Sequence, residues 1–197
     1  MQPDADAAKK SLRTEARFLR AEAHARQGRT AAVVLSQTDL VPFAPHWPCV
    51  VSGFLPIGDE IDLGPLMERL HAQGATLALP VIEKKAHPLS FRIWSPGDPL
   101  VDKAWGIREP LPAAATVEPD LLLVPLLAVD PDGYRLGYGG GFYDRTLARL
   151  RALKPVVAIG VAYDVQRLDA VARDVYDQPL DWLLTPSGMF RFLPNED

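Results

Sequence analysis

The run Leu121-Leu122-Leu123-Val124-Pro125-Leu126-Leu127 is apolar at every position, as expected of a strand that is buried on both faces of a sheet. The turn-forming residues Asp130-Pro131-Asp132-Gly133 follow it, and a glycine-rich segment leads from them into a helical pattern over residues 143–153. A second apolar run covers residues 156–162. Strand, helix and strand in this order predict a parallel βαβ unit.

The same alternation extends toward both ends of the chain. Apolar runs of strand length cover residues 49–55, 76–82, 89–95 and Trp182–Thr185, and helical patterns cover residues 7–27, 30–40 and 63–73. We therefore predict an α/β fold in which a mostly parallel sheet carries helices on both faces, a three-layer αβα arrangement. Because the sequence has neither an internal repeat nor a Ser/Gly-rich linker, residues 1–197 are predicted to form a single domain.

The composition excludes several classes of function. The chain has 21 Lys and Arg residues against 25 Asp and Glu residues, a net charge of -4, so no overall positive field attracts nucleic acid or an anionic membrane. We expect neither as a partner. Residues 1–20 contain no apolar run that could act as a secretory signal, and no stretch of the sequence is apolar over the length needed to span a membrane. Cys49 is the only cysteine, which excludes an internal disulfide and predicts a cytoplasmic protein.

The strongest indication of chemistry is the segment Arg135-Leu136-Gly137-Tyr138-Gly139-Gly140-Gly141-Phe142-Tyr143-Asp144. Its glycines let backbone N–H groups approach an anion, and the N-terminus of the following helix adds partial positive charge, so we predict phosphate binding. A Walker A motif does not fit because no Lys-Ser/Thr follows, and Phe142 stands where a dinucleotide fingerprint has its third glycine. The alternative is a wide flexible turn, which would need fewer glycines.

Charged residues around this segment extend the hypothesis. Arg135 and Arg145 flank the glycines and can neutralise phosphoryl charge. Asp144 could cap the helix or hold a Mg²⁺ ion, and its spacing alone leaves both roles open. The first helix carries a cationic stripe, for which the alternative is an ordinary solvated helix face. The stripe consists of Lys9, Arg13, Arg17 and Arg20.

These features together resemble the 5-formyltetrahydrofolate cyclo-ligase family, also called 5,10-methenyltetrahydrofolate synthetase. The resemblance covers nearly the full chain in the family's order. Its blocks are Lys9-Lys10-Ser11-Leu12-Arg13, Phe54-Leu55-Pro56-Ile57-Gly58-Asp59-Glu60-Ile61, Trp105-Gly106-Ile107-Arg108-Glu109-Pro110, residues 135–145, and Asp177-Gln178-Pro179-Leu180-Asp181. The chain departs from the family's pattern at Phe142, where members often have Tyr, and at Tyr176, where they often have His.

The resemblance implies an activity: ATP- and Mg²⁺-dependent cyclisation of 5-formyltetrahydrofolate to 5,10-methenyltetrahydrofolate, with release of ADP and phosphate, through phosphorylation of the formyl oxygen. It implies a monomer whose partners are ATP and 5-formyltetrahydrofolate, with or without a polyglutamate tail.

The resemblance also implies a role for each block. Nucleotide binding falls to Lys9, Arg13, Arg135, Leu136, Gly137, Tyr138, Gly139, Gly140, Gly141, Phe142 and Tyr143. Of these, Lys9 and Arg135 are expected to act in catalysis. Folate binding falls to Leu55, Glu60, Trp105, Tyr138 and Phe142. Asp144 and Asp181 are expected to hold Mg²⁺ together.

Structural alternatives accompany the folate residues. Leu55 could be simple core, Glu60 an acid at a helix N-terminus, and Trp105 a half-buried packing residue. Two other classes of function also stay open: a binding protein on the same fold without turnover, and an enzyme that transfers a phosphosugar or acyl group. The joint presence of Asp144 and Asp181 with Arg135 and Glu60 disfavours the first, and the second gives the N-terminal basic pair no role.

Overall fold

Three α-helices and eleven strands make up the part of the protein that the computed structural model describes, residues 3–192; the side chains of residues 3–8 and of Trp105 lie outside it. The helices are α1 (Pro3–Ser36), α2 (Gly64–Ala72) and α3 (Phe142–Leu153). The strands are β1 (Val50–Ser52), β2 (Thr76–Val81), β3 (Ser90–Ile93), β4 (Leu100–Asp102), β5 (Arg108–Pro110), β6 (Leu121–Pro125), β7 (Ala128–Val129), β8 (Arg135–Leu136), β9 (Val157–Val161), β10 (Trp182–Thr185) and β11 (Gly188–Arg191).

Seven of these strands form one sheet, in the order β11-β10-β9-β6-β1-β2-β3. The five inner strands run parallel to one another, and β3 and β11 pair antiparallel at the two edges. The predicted α/β fold with a mostly parallel sheet is confirmed. β6, which begins at Leu121, lies between β1 and β9 and is therefore an inner strand.

The side chains of β6 alternate between two cores. Leu121 and Leu123 pack in a cluster with residues of α1 and α2, whereas Leu122 and Val124 pack in a second cluster with residues of α3. All four are 0% exposed, which explains why this run is apolar at every position. Helices therefore cover both faces of the sheet, and the three-layer αβα arrangement is confirmed.

α1 differs from the prediction, because it is one helix of 34 residues where the sequence predicts two. Gly28 lies between the two predicted helices, and a glycine inside a helix costs roughly 1 kcal/mol. Ala23, Ala31 and Leu35 are buried at 1% exposure or less in the core shared with α2, so tertiary packing offsets this cost. In the described part of the chain no helix, α1 included, is long and apolar enough to cross a membrane.

β1 and β6 lie side by side, but the chain leaves them in opposite directions. From β1 it crosses through α2 to β2, and from β6 it crosses through α3 to β9 on the other side. Such a reversal opens a crevice beyond the carboxyl ends of the two strands, where ligands bind in open α/β sheets. The hairpin of β7 and β8 follows β6 and pairs Arg135 with Val129, so the glycine-rich segment starts at this crevice.

Asp120 ties the opposite edge of the sheet together. It directly precedes β6 and is 7% exposed. One carboxylate oxygen accepts a hydrogen bond from the backbone N–H of Val50 at 2.8 Å, and the other accepts one from Nζ of Lys154 at 2.6 Å. Burial by itself would raise the pKa of Asp120, but the hydrogen bonds from Lys154 and Val50 outweigh it and lower the pKa.

Replacing this carboxylate should destabilise the protein in a pH-dependent way. Asp120→Asn should lower the free energy of unfolding at pH 7 by about 1–3 kcal/mol, because it removes charge-assisted hydrogen bonds to a buried group. Since the folded-state pKa is lowered, this stability is present above the ordinary carboxyl pKa of about 3.9 and is lost as the pH falls through the folded value. Urea unfolding of both proteins at pH 7 and near pH 3 measures this.

The exposed Asp102 offers a matched control for the Asp120 substitution. Asp102→Asn should unfold at the same urea concentration as the parent protein at both pH values. An Asp120→Asn variant that is as stable as the parent at pH 7 would contradict the anchoring role.

Candidate active site

A cavity of about 320 Å³ opens at the carboxyl ends of β1, β2 and β6. The cavity gathers most of the residues that the sequence singles out: its lining includes Lys9, Arg13, Leu55, Glu60 and every residue from Arg135 through Asp144. Ile107 and Arg108 of the block around Trp105 also line it, although the Trp105 side chain is outside the description. Residues that lie 130 positions apart in sequence therefore form one site.

The glycine-rich segment forms an open loop at the N-terminus of α3. Gly139 has a φ of 96° and Gly141 a φ of 61°, a left-handed conformation that glycine adopts without strain. Among the described residues no acceptor takes the backbone N–H groups from Gly139 through Asp144. The residues that carry these N–H groups line the cavity at the N-terminus of α3, an arrangement that suits the oxygens of a phosphate.

The cationic stripe of α1 faces this loop. Nε of Arg13 donates a hydrogen bond to the carbonyl oxygen of Gly137 at 3.0 Å, and the guanidinium carbons of Arg17 and Arg20 each lie 5.6 Å from the centre of the Tyr138 ring. Arg20 is 4% exposed. The stripe is therefore an interface with the loop, and the alternative of an ordinary solvated face is wrong.

Lys9 lies at the end of the stripe nearest to the chain start and is held by carboxylates. Its Nζ is 3.6 Å from an oxygen of Asp174 and 3.7 Å from an oxygen of Asp177, and all three residues line the cavity. A cation in this position can leave its acidic partners for a more highly charged anion in the cavity.

Arg135 is buried beside Asp144. Its side chain is 4% exposed, and it donates hydrogen bonds to the carbonyl oxygen of Gln178 at 2.6 Å and to Oδ1 of Asp144 at 2.8 Å. Burial lowers the pKa of Arg135, and the negative charges of Asp144 and Asp177 oppose this effect. The guanidinium thus fixes Asp144 in place while it lines the cavity.

Asp144 does not cap α3. Its Oδ1 accepts hydrogen bonds from Arg135 and from the backbone N–H of Gln178 at 3.1 Å, and the structure records no bond from it to an N–H of its own helix. Its Oδ2 has no hydrogen-bond partner among the described residues. A cavity-facing carboxylate oxygen of this kind fits Mg²⁺, which binds proteins through one or two carboxylates and completes its shell with water and phosphate.

Asp181, the second predicted metal ligand, is not brought to this place. It precedes β10 at the amino edge of the sheet, where its Oδ2 accepts hydrogen bonds from Arg151 at 3.0 Å and from the N–H of Ala158 at 2.7 Å. Arg151 follows Asp144 by seven positions, about 10 Å along the α3 axis. Asp181 lines a separate depression, so the structure does not bring the two predicted carboxylates to one place. No cluster of three or more His, Cys, Asp or Glu side chains suited to a metal occurs in residues 3–192.

Arg145 contacts two residues of the glycine-rich segment. Its guanidinium donates to the carbonyl oxygen of Gly140 at 2.5 Å and lies 5.6 Å from the centre of the Phe142 ring. Arg135 is among the described residues that line the cavity, whereas Arg145 is not. Its role in this structure is to hold the loop rather than to face a phosphate.

Glu60 lines the same cavity as the glycine loop. It is 5% exposed, and its two oxygens accept hydrogen bonds from the Tyr138 hydroxyl at 2.6 Å and from the N–H of Ile57 at 2.8 Å. Burial raises the pKa of Glu60, while Tyr138, Ile57 and Arg20 oppose this effect. Glu60 lies in a turn four residues before α2, so the alternative of a helix N-terminal acid is wrong.

Apolar side chains complete this part of the cavity. Leu55 both lines the cavity and packs against the core cluster that includes Phe54, so it is more than a core residue. Phe142, next to the loop glycines, also lines the cavity. A flat, mostly apolar ring with hydrogen-bond donors at one edge would fit between these side chains and Glu60.

Comparison with known proteins decides the family. The model of the 5-formyltetrahydrofolate cyclo-ligase family matches residues 5–186 of the chain. The chain belongs to this family.

Relatives and a solved structure agree with this assignment. The cyclo-ligase is 40% identical over 144 residues to 5-formyltetrahydrofolate cyclo-ligase of Mycolicibacterium smegmatis, a match that covers 69% of this chain and 73% of that protein. It is 34% identical over 186 residues to the Escherichia coli K12 enzyme of the same name, covering 92% of this chain and 100% of that one. The Aquifex aeolicus 5,10-methenyltetrahydrofolate synthetase superposes with a TM-score of 0.75 at 28% identity, covering 96% and 95% of the two chains. The chain is therefore an enzyme that acts as a 5-formyltetrahydrofolate cyclo-ligase.

Several cavity residues of the cyclo-ligase have no sequence signal of their own. Ile107 and Arg108 belong to the block around Trp105, but the family resemblance implies no role for either of them. Asp174 lies in a loop without a regular sequence pattern. Tyr176, in the same loop, is 80% exposed, whereas Phe142 lines the cavity. Only the position of Phe142 therefore brings a departure from the family's pattern into the site.

The left-handed conformation of the loop should be required for turnover. Gly139→Ala should lower kcat/KM of the cyclo-ligase about tenfold, because an alanine at this φ costs roughly 1–2 kcal/mol and would favour a different loop conformation. Gly97→Ala is the matched control, since Gly97 has a φ of 95° and open space around its Cβ position. Steady-state kinetics and thermal unfolding of both variants test this, and equal losses of activity would refute it.

Proposed function

We propose that this cyclo-ligase uses MgATP to phosphorylate the formyl oxygen of 5-formyltetrahydrofolate and then closes the ring to 5,10-methenyltetrahydrofolate, releasing ADP and phosphate. One observation carries the proposal: a glycine loop with cations and a group of apolar side chains with Glu60 line a single cavity. Two substrates, one with phosphates and one with a flat ring, fit such a cavity side by side.

The phosphate side binds and neutralises the nucleotide. Backbone N–H groups of the loop at residues 137–141 donate to phosphate oxygens, and the α3 N-terminus adds its partial positive charge. Lys9 leaves Asp174 and Asp177 to contact the phosphates together with Arg13. Lys9 and Arg135 then offset the charge that spreads over the transferring phosphoryl group, so they are the catalytic cations of the proposal.

Asp144 is the residue that would hold magnesium, through the oxygen that Arg135 and Gln178 leave free. A magnesium ion held there would supply positive charge that offsets the negative charge of the phosphates. Asp181 is not assigned to magnesium here because it lies at the other edge of the sheet and lines a separate depression, where its Oδ2 accepts hydrogen bonds from Arg151 and from the N–H of Ala158.

The folate side orients the pterin ring. Glu60 accepts hydrogen bonds from the N–H donors of the aminopyrimidine edge, since each of its oxygens has a second lone pair beyond its bond to Tyr138 or Ile57. Leu55 and Phe142 cover the faces of the ring, and the segment that carries Trp105 lies along the rim next to Ile107. Tyr138 belongs to both sides, because it is a loop residue that bonds to Glu60.

The chemistry then needs only alignment and charge neutralisation. The formyl oxygen attacks the γ-phosphorus, and the bond to the bridging oxygen breaks with ADP as the leaving group. N10 attacks the formyl carbon, the bond between this carbon and the phosphorylated oxygen breaks, phosphate leaves, and the N10 proton is released. Held in line in a site with little water, both steps proceed without a covalent bond to the protein.

The proposal extends to the form of the substrate and to the setting of the protein. The exposed Arg108 at the cavity rim suits the carboxylates of a folate glutamate or polyglutamate tail. The proposed form of the protein is a monomer. A cytoplasmic location suits the single cysteine, because burial raises the pKa of Cys49 to about 11 and keeps it an unreactive thiol.

The decisive experiment follows the near-ultraviolet absorbance of the methenyl product. Purified protein is mixed with 5-formyltetrahydrofolate and MgATP, and parallel reactions omit ATP, Mg²⁺ or protein. We expect absorbance to rise only in the complete mixture, with one ADP formed per methenyl product. A rise without ATP, or ADP formation without the methenyl product, would refute the proposed reaction.

Two carboxylate substitutions test which of the two predicted ligands, Asp144 or Asp181, holds magnesium. Asp144→Asn should raise the Mg²⁺ concentration for half-maximal rate about tenfold or more, because an amide is a weaker ligand than a carboxylate. Asp181→Asn should lower the thermal stability, since it weakens the bonds to Arg151 and Ala158, and should leave the Mg²⁺ dependence unchanged. Mg²⁺ titrations of the initial rate decide between them, and an altered Mg²⁺ dependence in Asp181→Asn alone would reverse the assignment.

A further inference from the structure

Arg20 is a buried arginine that the proposed chemistry leaves without a role. It belongs to the same stripe as Lys9 and Arg13, but its side chain is only 5% exposed. Nε and Nη2 donate to Oδ1 of Asp59 at 3.1 and 2.5 Å, and Nη1 lies 3.5 Å from Oε1 of Glu60. A charge buried this deeply requires such partners, and both of them belong to the turn that lines the folate side of the cavity.

Tyr138 connects this arginine to the glycine loop. Its hydroxyl oxygen accepts a hydrogen bond from Nη1 of Arg20 at 2.5 Å, and its proton is donated to Oε1 of Glu60 at 2.6 Å. The direction of these bonds is fixed, since a guanidinium can only donate and burial raises the pKa of Tyr138, which keeps the phenol neutral. Arg20 therefore determines which way the single phenol proton points.

α1 holds the same loop at a second point. Arg13 donates to the carbonyl oxygen of Gly137, the residue directly before Tyr138. Because Arg13 and Arg20 lie on one continuous helix, the loop is fixed to α1 on the phosphate side and on the folate side. The contacts form a connected path from the loop through Tyr138 to Glu60, and a shift of the loop would change the hydrogen bond to that carboxylate.

We infer that Arg20 is a positioning residue that couples the two substrate sites. It holds Tyr138, and with it the glycine loop, where the hydroxyl group supports Glu60. Phosphates that order the loop then also order the carboxylate that receives the folate, and the converse holds when folate binds first. The effect is reciprocal by thermodynamic linkage, so each ligand raises the affinity for the other by the same factor. This inference rests on the proposed function, because it needs both substrates in one cavity.

A purely structural role for Arg20 predicts a different result. If Arg20 only neutralised Asp59 and Glu60, its loss would weaken folate binding by the same factor with and without nucleotide. If Arg20 couples the sites, its loss removes the gain in folate affinity that the nucleotide provides. The ratio of two folate affinities therefore distinguishes the two roles, whatever the affinities themselves are.

The test measures the Kd of 5-formyltetrahydrofolate by titration calorimetry, with and without a saturating Mg²⁺ complex of an ATP analogue that cannot transfer its γ-phosphoryl group. We expect the two constants to differ by a factor of at least about 5 in the parent protein. The factor should fall to about 1 in Arg20→Met and in Tyr138→Phe, which removes only the hydroxyl group. Arg20→Lys, which keeps the charge but not the fork of donors, should give an intermediate factor.

Arg26→Met is the matched control, because Arg26 is an exposed residue on the same helix and should keep the parent's factor. Tyr138 is 42% exposed, so Tyr138→Phe decides the question if Arg20→Met does not fold. An unchanged factor in Tyr138→Phe and in the Arg20 variants would overturn the inference, as would a factor of 1 in the parent. A parent without coupling that still requires MgATP for turnover leaves the proposed function intact, whereas a parent without ATP-dependent turnover removes both.

Discussion

Parallel pairing of β6 with β1 and β9 is the constraint on which the site depends. Parallel strands need long crossover connections, and here the crossovers leave β1 and β6 in opposite directions, which opens a crevice beyond the carboxyl ends of these strands. The two segments that start at this edge are the turn that carries Glu60 and the hairpin that leads into the glycine loop. The topology of the sheet thus brings the Glu60 carboxylate and the glycine loop to one cavity.

Opposite charges are held close together throughout this cavity. Arg135 is paired with Asp144, Lys9 with Asp174 and Asp177, and Arg20 with Asp59 and Glu60. Buried charges are costly without partners, so a site that must bind an anion can keep its cations in place only by pairing them in advance. These ion pairs differ in the solvent exposure of their side chains, and we infer different roles for them from this difference. The Lys9 pair includes the 55% exposed Asp174 and can exchange partners, whereas the Arg20 pairs are buried and hold the architecture.

Agreement between sequence and structure varies with the range of the interaction concerned. The alternation of Leu121 to Val124 between two cores could be predicted, because period and apolarity are local properties. The continuity of α1 could not be predicted. Gly28 is unfavourable inside a helix, and the burial of Leu35 that compensates for it comes from packing against α2. The β7–β8 hairpin could not be predicted either, because each of its strands has only two residues and shows no periodicity. This hairpin leads into the glycine loop.

The sequence by itself determined the α/β class, the phosphate loop and the resemblance that the family match confirms, because periodicity, glycine density and motif order are written within short stretches of chain. Only the tertiary structure decided which charged residues meet. In the folded protein Asp181 and Asp144 lie in different depressions, and Arg145 bonds to the loop without lining the cavity. Arg20 contacts Tyr138, which is 118 positions away in sequence. Contacts of this range depend on how helices pack across the sheet, and the spacing of residues along the chain carries no information about them.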